Sequence, residues 1–184
     1  MLKKMRGFTL IELLIVVAII GILAALLIPN ALEAIQKAKQ KSAMKEIMTV
    51  STAAVDYITD NGTFTAIANS GPLTSGCNFQ LAIATFYTKS IPINDPWNTP
   101  YQVGAGAVGA AAVMGVTPPG LGDDDFAMAS FGRDKKEGPI GVGDYKTDAP
   151  EAGFYNVTSM SSFNNDLLAW NGSWIAGPRT NVGS

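Results

Sequence analysis

Histidine does not occur in this 184-residue chain, and Cys77 is its single cysteine. Without histidine, the chain lacks the most frequent general base and the commonest metal ligand, and a Ser-His or Cys-His pair is excluded. One cysteine cannot form an internal disulfide, so we expect Cys77 to be buried, the alternative being a bond to another chain. The net charge of −2 offers no basic surface to nucleic acid. No residue pattern favours a carboxylate-pair enzyme, so we expect neither catalysis nor nucleic-acid binding.

A glycine pattern in the second half of the chain has the spacing of a dinucleotide-binding motif. It reads Gly104-Ala105-Gly106-Ala107-Val108-Gly109, but that motif also needs a strand before it, a helix after it and further parallel strands. The chain beyond Pro118 shows no such alternation. We therefore predict a Gly/Ala-rich loop over about 104–124, followed by a solvated acidic turn at residues 123–125.

A long apolar run occupies the N-terminal region, from Phe8 to Ile28. About 20 apolar residues rising 1.5 Å each span the roughly 30 Å hydrocarbon core of a bilayer. Basic residues precede the run, which favours a cytoplasmic N-terminus. An ordinary secretory signal has a shorter apolar core, and its cleavage site follows that core. Here Gly7 precedes the apolar run. The residues alone leave an uncut signal anchor as an alternative.

One carboxylate, Glu12, interrupts this apolar run. A charged side chain in hydrocarbon costs roughly 3 kcal/mol or more, so such a residue usually has a partner. Glu12 either reaches the aqueous interface from near the helix end or meets a cation in low dielectric. The second reading makes Glu12 a residue of assembly rather than of folding.

The segment Gly7-Phe8-Thr9-Leu10-Ile11-Glu12, continued without a gap to Ala25, resembles the class III signal of type IV pilins and type II secretion pseudopilins. The resemblance implies that a prepilin peptidase cleaves between Gly7 and Phe8 and that the new Phe8 amine is methylated. It also implies that Glu12 engages the Phe8 ammonium of a neighbouring subunit. Residues 1–7 would then be a cleaved leader and residues 8–29 a transmembrane and filament-core helix.

The helical pattern continues beyond Pro29, where we expect a kink because proline removes a backbone donor. Apolar residues step by three and four along one face, at Ala43, Ile47, Val50, Ala54 and Tyr57. The opposite face carries Lys37, Lys41, Lys45, Glu46 and Asp56. Residues 30–61 are therefore an amphipathic continuation of the helix, ended by Asn61-Gly62. The lysines at 37, 39, 41 and 45 form either a solvated face or a contact with acidic filament neighbours or lipid headgroups.

Three further stretches resemble the major pseudopilin, protein G, of type II secretion. They are residues 57–64, residues 91–101 with their Asp95-Pro96-Trp97 block, and residues 126–134. Asn98 departs from the glycine usual at that position, the 104–124 segment is longer, and the chain runs on past the acidic loop. The resemblance implies a periplasmic α+β head over residues 62–184.

The family head binds one calcium ion in the acidic loop, which here falls at about 123–148. Carried over by position, Asp134 matches one ligand, Asp144 is the best match for a second, and Asp148 is its rival. Ser130 and Phe131 could offer carbonyl oxygens, which suits the six to eight oxygen ligands of calcium. The alternative is an ordinary charged turn screened by its own lysines.

Together these features predict an α+β pilin fold, in which a long N-terminal helix, transmembrane and then amphipathic, packs on a small antiparallel sheet. The implied function is that of a structural subunit of a pseudopilus filament that drives protein export. Its partners would be copies of itself in a helical filament, the prepilin peptidase, the inner-membrane assembly platform and minor pseudopilins. A type IV pilin for adhesion, motility or DNA uptake is the alternative, which the lack of a cysteine pair disfavours. A membrane-anchored periplasmic enzyme or binding module is a third reading.

Overall fold

The computed structural model describes residues 7–84, 86–115, 120–138, 146 and 148–179, except for the side chains at 66 and 69. The chain divides into two compact units, Met1–Ile35 and Gln36–Ser184. Helix α1, Leu10–Asn61, belongs to both.

The first unit holds the apolar half of α1. This helix is long and apolar enough to cross a membrane, and none of its most apolar 18-residue window is buried. Pro29 lies inside α1, and the helix continues through it. The Asn30 side chain donates to the Leu26 carbonyl at 3.5 Å, one turn back.

The second unit begins with the amphipathic half of α1, whose buried face is the one that the sequence predicts. Ala43, Ile47, Val50, Ala54 and Tyr57 are all buried. The helix ends at Asn61, where Gly62 takes φ 81° and donates its N–H to the Ile58 carbonyl at 2.7 Å. Both the buried face and the stop are confirmed.

Two side chains differ from these expectations. Glu46 is half-buried rather than on the solvated face, because the Tyr101 hydroxyl donates to it at 2.8 Å. Cys77 is half-buried rather than buried. It lies at the start of the short helix α2, Asn78–Ile83, where its sulfur accepts from the Gln80 N–H at 3.4 Å.

Within the described residues, six strands form one sheet in the order β1-β2-β3-β5-β6-β4. Their bounds are Asn69–Pro72 for β1, Gln102–Ala105 for β2, Phe126–Ser130 for β3, Phe154–Tyr155 for β4, Leu167–Trp170 for β5 and Ser173–Pro178 for β6. Neighbouring strands are antiparallel, except that β4 runs parallel to β6. The predicted α+β class and mostly antiparallel sheet are confirmed.

The prediction of a Gly/Ala-rich loop is wrong over much of its length. Gly104 and Ala105 end β2, and Gly106–Met114 is helix α3. This helix buries Ala110, Val113 and Met114, so one face gains packing on the sheet despite the weak helix propensity of glycine. A Cβ on Gly104 would overlap the Gly109 carbonyl, so the glycines allow helix and strand to touch. Both neighbours of β2 are antiparallel to it, unlike the parallel strands of a dinucleotide-binding unit.

Strand β3 lies at the centre of the sheet, and all of its side chains are buried. Phe126 and Met128 belong to the cluster that includes the buried face of α1. Ala127 and Ala129 belong to a second cluster, which includes α3. Side chains of a strand alternate between its two faces, so the second unit has the layer order α1, sheet, α3.

The short 3₁₀ helices Thr65–Ile67, Pro150–Gly153 and Met160–Asn164 complete the second unit. Strand β4 is short and covers only Phe154–Tyr155. Trp170 and Ile175 lie on β5 and β6 and pack in the α3-side cluster, while Trp174 packs against the α1-side cluster. The C-terminal strands β5 and β6 thus pack onto both clusters of the core.

Candidate functional site

The N-terminus of α1 carries a reciprocal pair of side chains. The Thr9 backbone N–H and the Thr9 hydroxyl both donate to Glu12 Oε2, at 2.9 and 2.6 Å. The Glu12 N–H donates to Thr9 Oγ1 at 3.3 Å. This arrangement is a capping box, which satisfies backbone donors at a helix start and places a carboxylate at the positive end of the helix dipole. Sequence reasoning missed it, although Thr9-Leu10-Ile11-Glu12 has the required Thr-x-x-Glu spacing.

The proposed cleavage point precedes this capping box. Gly7, Phe8 and Thr9 lie before the first helical residue, and Phe8 is 74 % exposed. A peptide bond outside a helix is open to a peptidase without local unfolding. Cleavage between Gly7 and Phe8 would leave a free amine one residue before Thr9. The basic residues before Gly7 lie outside the described range.

The apolar half of α1 presents its side chains outward on all sides. Every large apolar residue from Leu10 to Ile28 is exposed, with at least 46 % of its surface accessible. Monomeric soluble proteins rarely expose contiguous apolar patches larger than a few hundred Å². This segment therefore requires lipid or other apolar helices around it.

Side-chain hydrogen bonds attach the amphipathic half of α1 to the rest of the second unit, and three of them involve Gln36, Gln40 and Glu46. Trp97 Nε1 donates to Gln36 Oε1 at 2.8 Å, and Gln40 Nε2 donates to the Tyr155 hydroxyl at 3.1 Å. The third is the bond from the Tyr101 hydroxyl to Glu46. Burial raises the pKa of the Tyr101 phenol, and the hydrogen bond to Glu46 raises it further. Burial also raises the pKa of Tyr155.

The Asp95-Pro96-Trp97 block is a buried turn rather than a binding motif. Asp95 Oδ1 accepts from the Trp97 and Thr99 backbone N–H groups at 3.0 and 2.9 Å. Its Oδ2 accepts from the Ser130 hydroxyl at 2.7 Å. Asn98 takes φ 65°, a conformation that asparagine tolerates better than most residues. The same conformation explains why glycine is usual at this position in the family. The block thus ties one loop to the end of β3.

The prediction that the three acids at residues 123–125 are solvated is wrong for one of them. Asp123 and Asp124 are exposed, but Asp125 is buried. Asp125 Oδ1 accepts from Trp170 Nε1 at 2.9 Å and from the Asn171 side-chain amide. These donors come from β5 and the turn after it, far away in the sequence, so Asp125 joins the start of β3 to the end of the neighbouring strand β5.

The predicted calcium ligands lie in different settings. Ser130 is buried, with its hydroxyl directed to Asp95, and Phe131 is half-buried. Asp134 is exposed, and its Oδ1 accepts from the Lys136 N–H at 3.2 Å. Asp148 is exposed, and Asp144 lies outside the described residues. Among the described residues, no group of three or more His, Cys, Asp or Glu side chains could hold a metal ion.

A carboxylate that the sequence analysis did not consider lies against the acidic loop. Asp166 is fully buried, and its two carboxylate oxygens accept from the Gly138 N–H at 3.0 and 2.9 Å. Two residues earlier in the chain, the buried Asn164 Oδ1 has no hydrogen-bond partner among the described residues. A Cβ on Gly138 would lie 2.8 Å from the Asn164 carbonyl oxygen. Residues 164–166 thus direct several oxygen atoms at Gly138. In the sequence, the signal that could have indicated these residues is their position just before the apolar strand β5.

Comparison with known proteins finds matches to the N-terminal segment and to about three quarters of the chain. Residues 2–28 match the family model of the prokaryotic N-terminal methylation motif. The type II secretion system core protein G of Escherichia coli is 32% identical over 146 residues, which cover 73% of this chain and 96% of the relative. The protein of the same name from Pseudomonas aeruginosa is 31% identical over 146 residues, covering 74% and 89%.

The type IV major pilin protein PilA of Myxococcus xanthus is 45% identical over 64 residues, but these are 35% of this chain and 29% of the relative. No solved structure was found to match the chain. The relatives from Escherichia coli and Pseudomonas aeruginosa match along most of their length, through the helix and into the sheet. The chain therefore belongs to the family of the type II secretion system core protein G, a pseudopilin.

Proposed function

We propose that this chain is a structural subunit of a pseudopilus filament that serves protein export by type II secretion. The observation that carries the proposal is the apolar half of α1, none of which is buried by the chain itself. In the membrane, lipid covers it; in a filament, the same helices of other copies replace the lipid. Family membership favours a pseudopilin over a type IV pilin, because the pilin match covers 35% of the chain.

Processing would prepare the helix N-terminus for assembly. A prepilin peptidase would cleave between Gly7 and Phe8, and methylation would follow on the Phe8 amine. Before assembly, Thr9 supplies donors to the Glu12 carboxylate. In the filament, the Phe8 ammonium of an adjoining copy would meet this carboxylate in low dielectric, which sets the axial position of one subunit on the next. Pro29 would adjust helix bending.

The basic leader would keep the N-terminus in the cytoplasm and place the head in the periplasm. Extraction from the inner membrane would need the assembly platform of the secretion apparatus, and minor pseudopilins would share the filament. No enzymatic activity is assigned to the chain; its role is structural.

Mass spectrometry of the mature chain tests the processing step. We expect the loss of the first seven residues and one methyl group on Phe8. Gly7→Val should block cleavage, whereas Gly21→Val, which changes a glycine inside the apolar run, should leave cleavage intact. An unprocessed Met1 in the wild-type protein within cells that hold the secretion apparatus would contradict the proposal and favour a simple membrane anchor.

We also propose that the acidic loop binds one calcium ion. Asp134 and Asp144 remain the carboxylates that the family resemblance indicates, with Asp148 as the rival and with carbonyls of Ser130 and Phe131. The buried Asp166 carboxylate and the Asn164 backbone carbonyl add oxygen atoms beside Gly138, which suits an ion that prefers six to eight oxygens. The ion would neutralise carboxylates and hold a loop that no disulfide can hold.

The calcium proposal is tested by thermal melting with and without chelator. We expect chelator to lower the melting temperature of the wild-type protein, and Asp134→Ala and Asp166→Asn to abolish that response. Glu151→Gln, at an exposed acid outside the loop, should retain it. An unchanged wild-type melting temperature in chelator would end the proposal.

A further inference from the structure

The outward face of α1 in the second unit carries its charges in two separate rows. Lys37, Lys41 and Lys45 are exposed and follow one another at four-residue spacing, whereas Lys39 is half-buried. We call the three exposed lysines the basic row. The side-chain ammonium groups of Lys41 and Lys45 form no hydrogen bond or ion pair with any residue that the structure describes.

Acidic residues occupy the same outward face nearer the C-terminus of α1. Asp56 and Asp60 are exposed, and we call this pair the acidic row. At 3.6 residues per turn, Lys45 and Asp56 differ by only about 20° around the helix axis, and Lys41 and Asp56 by about 60°. Asp60 accepts from the Tyr87 hydroxyl at 3.0 Å, while Asp56 meets no partner among the described residues.

A neutral segment separates the two rows. Thr49 and Thr52 lie between them, and their hydroxyls donate to the Lys45 and Met48 carbonyls at 2.9 and 3.0 Å. Neither row neutralises the other within one chain, because Lys45 and Asp56 are about 16 Å apart along the axis at 1.5 Å per residue. The face is therefore positive at one end and negative at the other.

The consequence depends on how copies are placed. Copies anchored by the same N-terminal segment all point the same way through the membrane. Side by side in exact register, their basic rows would face each other and so would their acidic rows, which is repulsive. Displaced along the axis by about 16 to 28 Å, the basic row of one copy lies beside the acidic row of the next. Complementary charges of this kind choose register and partner more than they add affinity.

We propose that the outward face of α1 is an interface between copies of this chain, in which the basic row of one subunit meets the acidic row of an axially displaced subunit. The inference rests on the proposed filament function. Since Phe8 and Glu12 are four residues apart, about 6 Å along the axis, the rows would join a different, more widely displaced pair of copies and so act outside the apolar core. Because exposed ion pairs are screened by salt, this interface weakens at high ionic strength.

The test uses the full-length chain in cells that hold the secretion apparatus, with sedimentable filament per cell as the measurement. Lys41→Glu/Lys45→Glu reverses the basic row, and Asp56→Lys/Asp60→Lys reverses the acidic row. We expect each double variant to lower filament yield about fivefold, because attractive surface pairs become repulsive. The quadruple variant, with both rows reversed, should recover to within about twofold of wild type, since its rows are complementary again.

Two controls separate this interface from simpler explanations. Lys41→Glu/Lys45→Glu combined with Asp123→Lys/Glu151→Lys has the net charge of wild type but leaves the acidic row intact, so it should not recover. Lys41→Arg/Lys45→Arg should assemble normally. Thermal melting of each purified variant should stay near wild type, because all the changed residues are exposed.

Double variants that assemble normally, a quadruple variant that stays defective, or equal recovery in the off-face control would each overturn the interface. In all three cases the wild-type filament is still present, so the proposed function survives. Absence of filaments from wild-type cells, by contrast, would refute the proposed function and this interface together.

Discussion

The two halves of helix α1 have the same backbone conformation but depend on different surroundings. In the half that belongs to the first unit, Leu10 to Ile35, no residue is buried. In the other half, from Gln36 to Asn61, eight described residues are buried, and Gln36, Gln40 and Glu46 form hydrogen bonds with side chains from outside the helix. The first half thus needs lipid or other subunits, whereas the second half completes its own core. Mutations should therefore separate assembly from folding according to which half they change.

The largest expected effect is on assembly, from Glu12→Leu. We expect filament yield to fall at least about tenfold, because the Phe8 ammonium of an adjoining copy would lose its counter-ion in low dielectric. Melting of the second unit should not change. The measurement is sedimentable filament, set against thermal melting of the same detergent-solubilised protein. Normal assembly and export by Glu12→Leu would refute the role of this carboxylate.

A matched pair of isoleucines should show the opposite behaviour. Ile47 is fully buried, whereas Ile19 is 52 % exposed. Ile47→Ala should lower the free energy of unfolding by about 2–5 kcal/mol, through lost burial and the cavity left behind. Ile19→Ala should change it by less than about 0.5 kcal/mol. Denaturant unfolding followed by tryptophan fluorescence distinguishes them, and equal losses would contradict the division into two units.

Two glycines sharpen the same comparison at smaller scale. A Cβ on Gly104 would overlap the Gly109 carbonyl, whereas one on Gly21 would meet nothing within 4 Å. Gly104→Ala should therefore destabilise the second unit by about 2 kcal/mol, because the backbone of α3 must shift. Gly21→Ala should leave its melting unchanged while favouring helix by about 1 kcal/mol. Circular dichroism melting of both variants measures the difference.

The smallest expected effect is an alkaline loss of stability that comes from the second unit. Burial and Glu46 raise the pKa of Tyr101, so its folded-state pKa lies above the unfolded value of about 10. The neutral phenol thus contributes stability that is fully present below about pH 10 and is lost as pH rises above it. Tyr101→Phe should reduce the slope of stability against pH there by up to about 1.4 kcal/mol per unit. An unchanged slope in chemical denaturation at pH 10 to 11 would contradict this.

Much of α1 could be predicted because its signals are local. The apolar run, the three-and-four spacing of the buried face and the Asn61-Gly62 stop all depend on neighbouring residues. The family motifs likewise indicated the pseudopilin class and the mostly antiparallel sheet. The capping box between Thr9 and Glu12 was equally local, yet it was overlooked because the carboxylate was considered only for its partner in another subunit.

The head was less predictable, because its decisive contacts join distant parts of the chain. Helix α3 forms from a glycine-rich segment of poor helix propensity, since the sheet buries one of its faces. Asp125 depends on Trp170 and Asn171, and Asp166 depends on Gly138. From the sequence alone, a carboxylate in a run of acids is expected to be solvated, because the hydrogen-bond donors that make its burial favourable are not known.

The amino-acid order by itself determined the long helix, its apolar and amphipathic halves and the processing motif, because hydrophobic periodicity and short motifs act over a few residues. Tertiary structure alone decided which acids are buried, which glycines permit strand and helix to touch, and which oxygens face the acidic loop. Those outcomes depend on hydrogen-bond partners and packing surfaces that lie tens of residues away, and burial of a polar group is favourable only where such partners meet it.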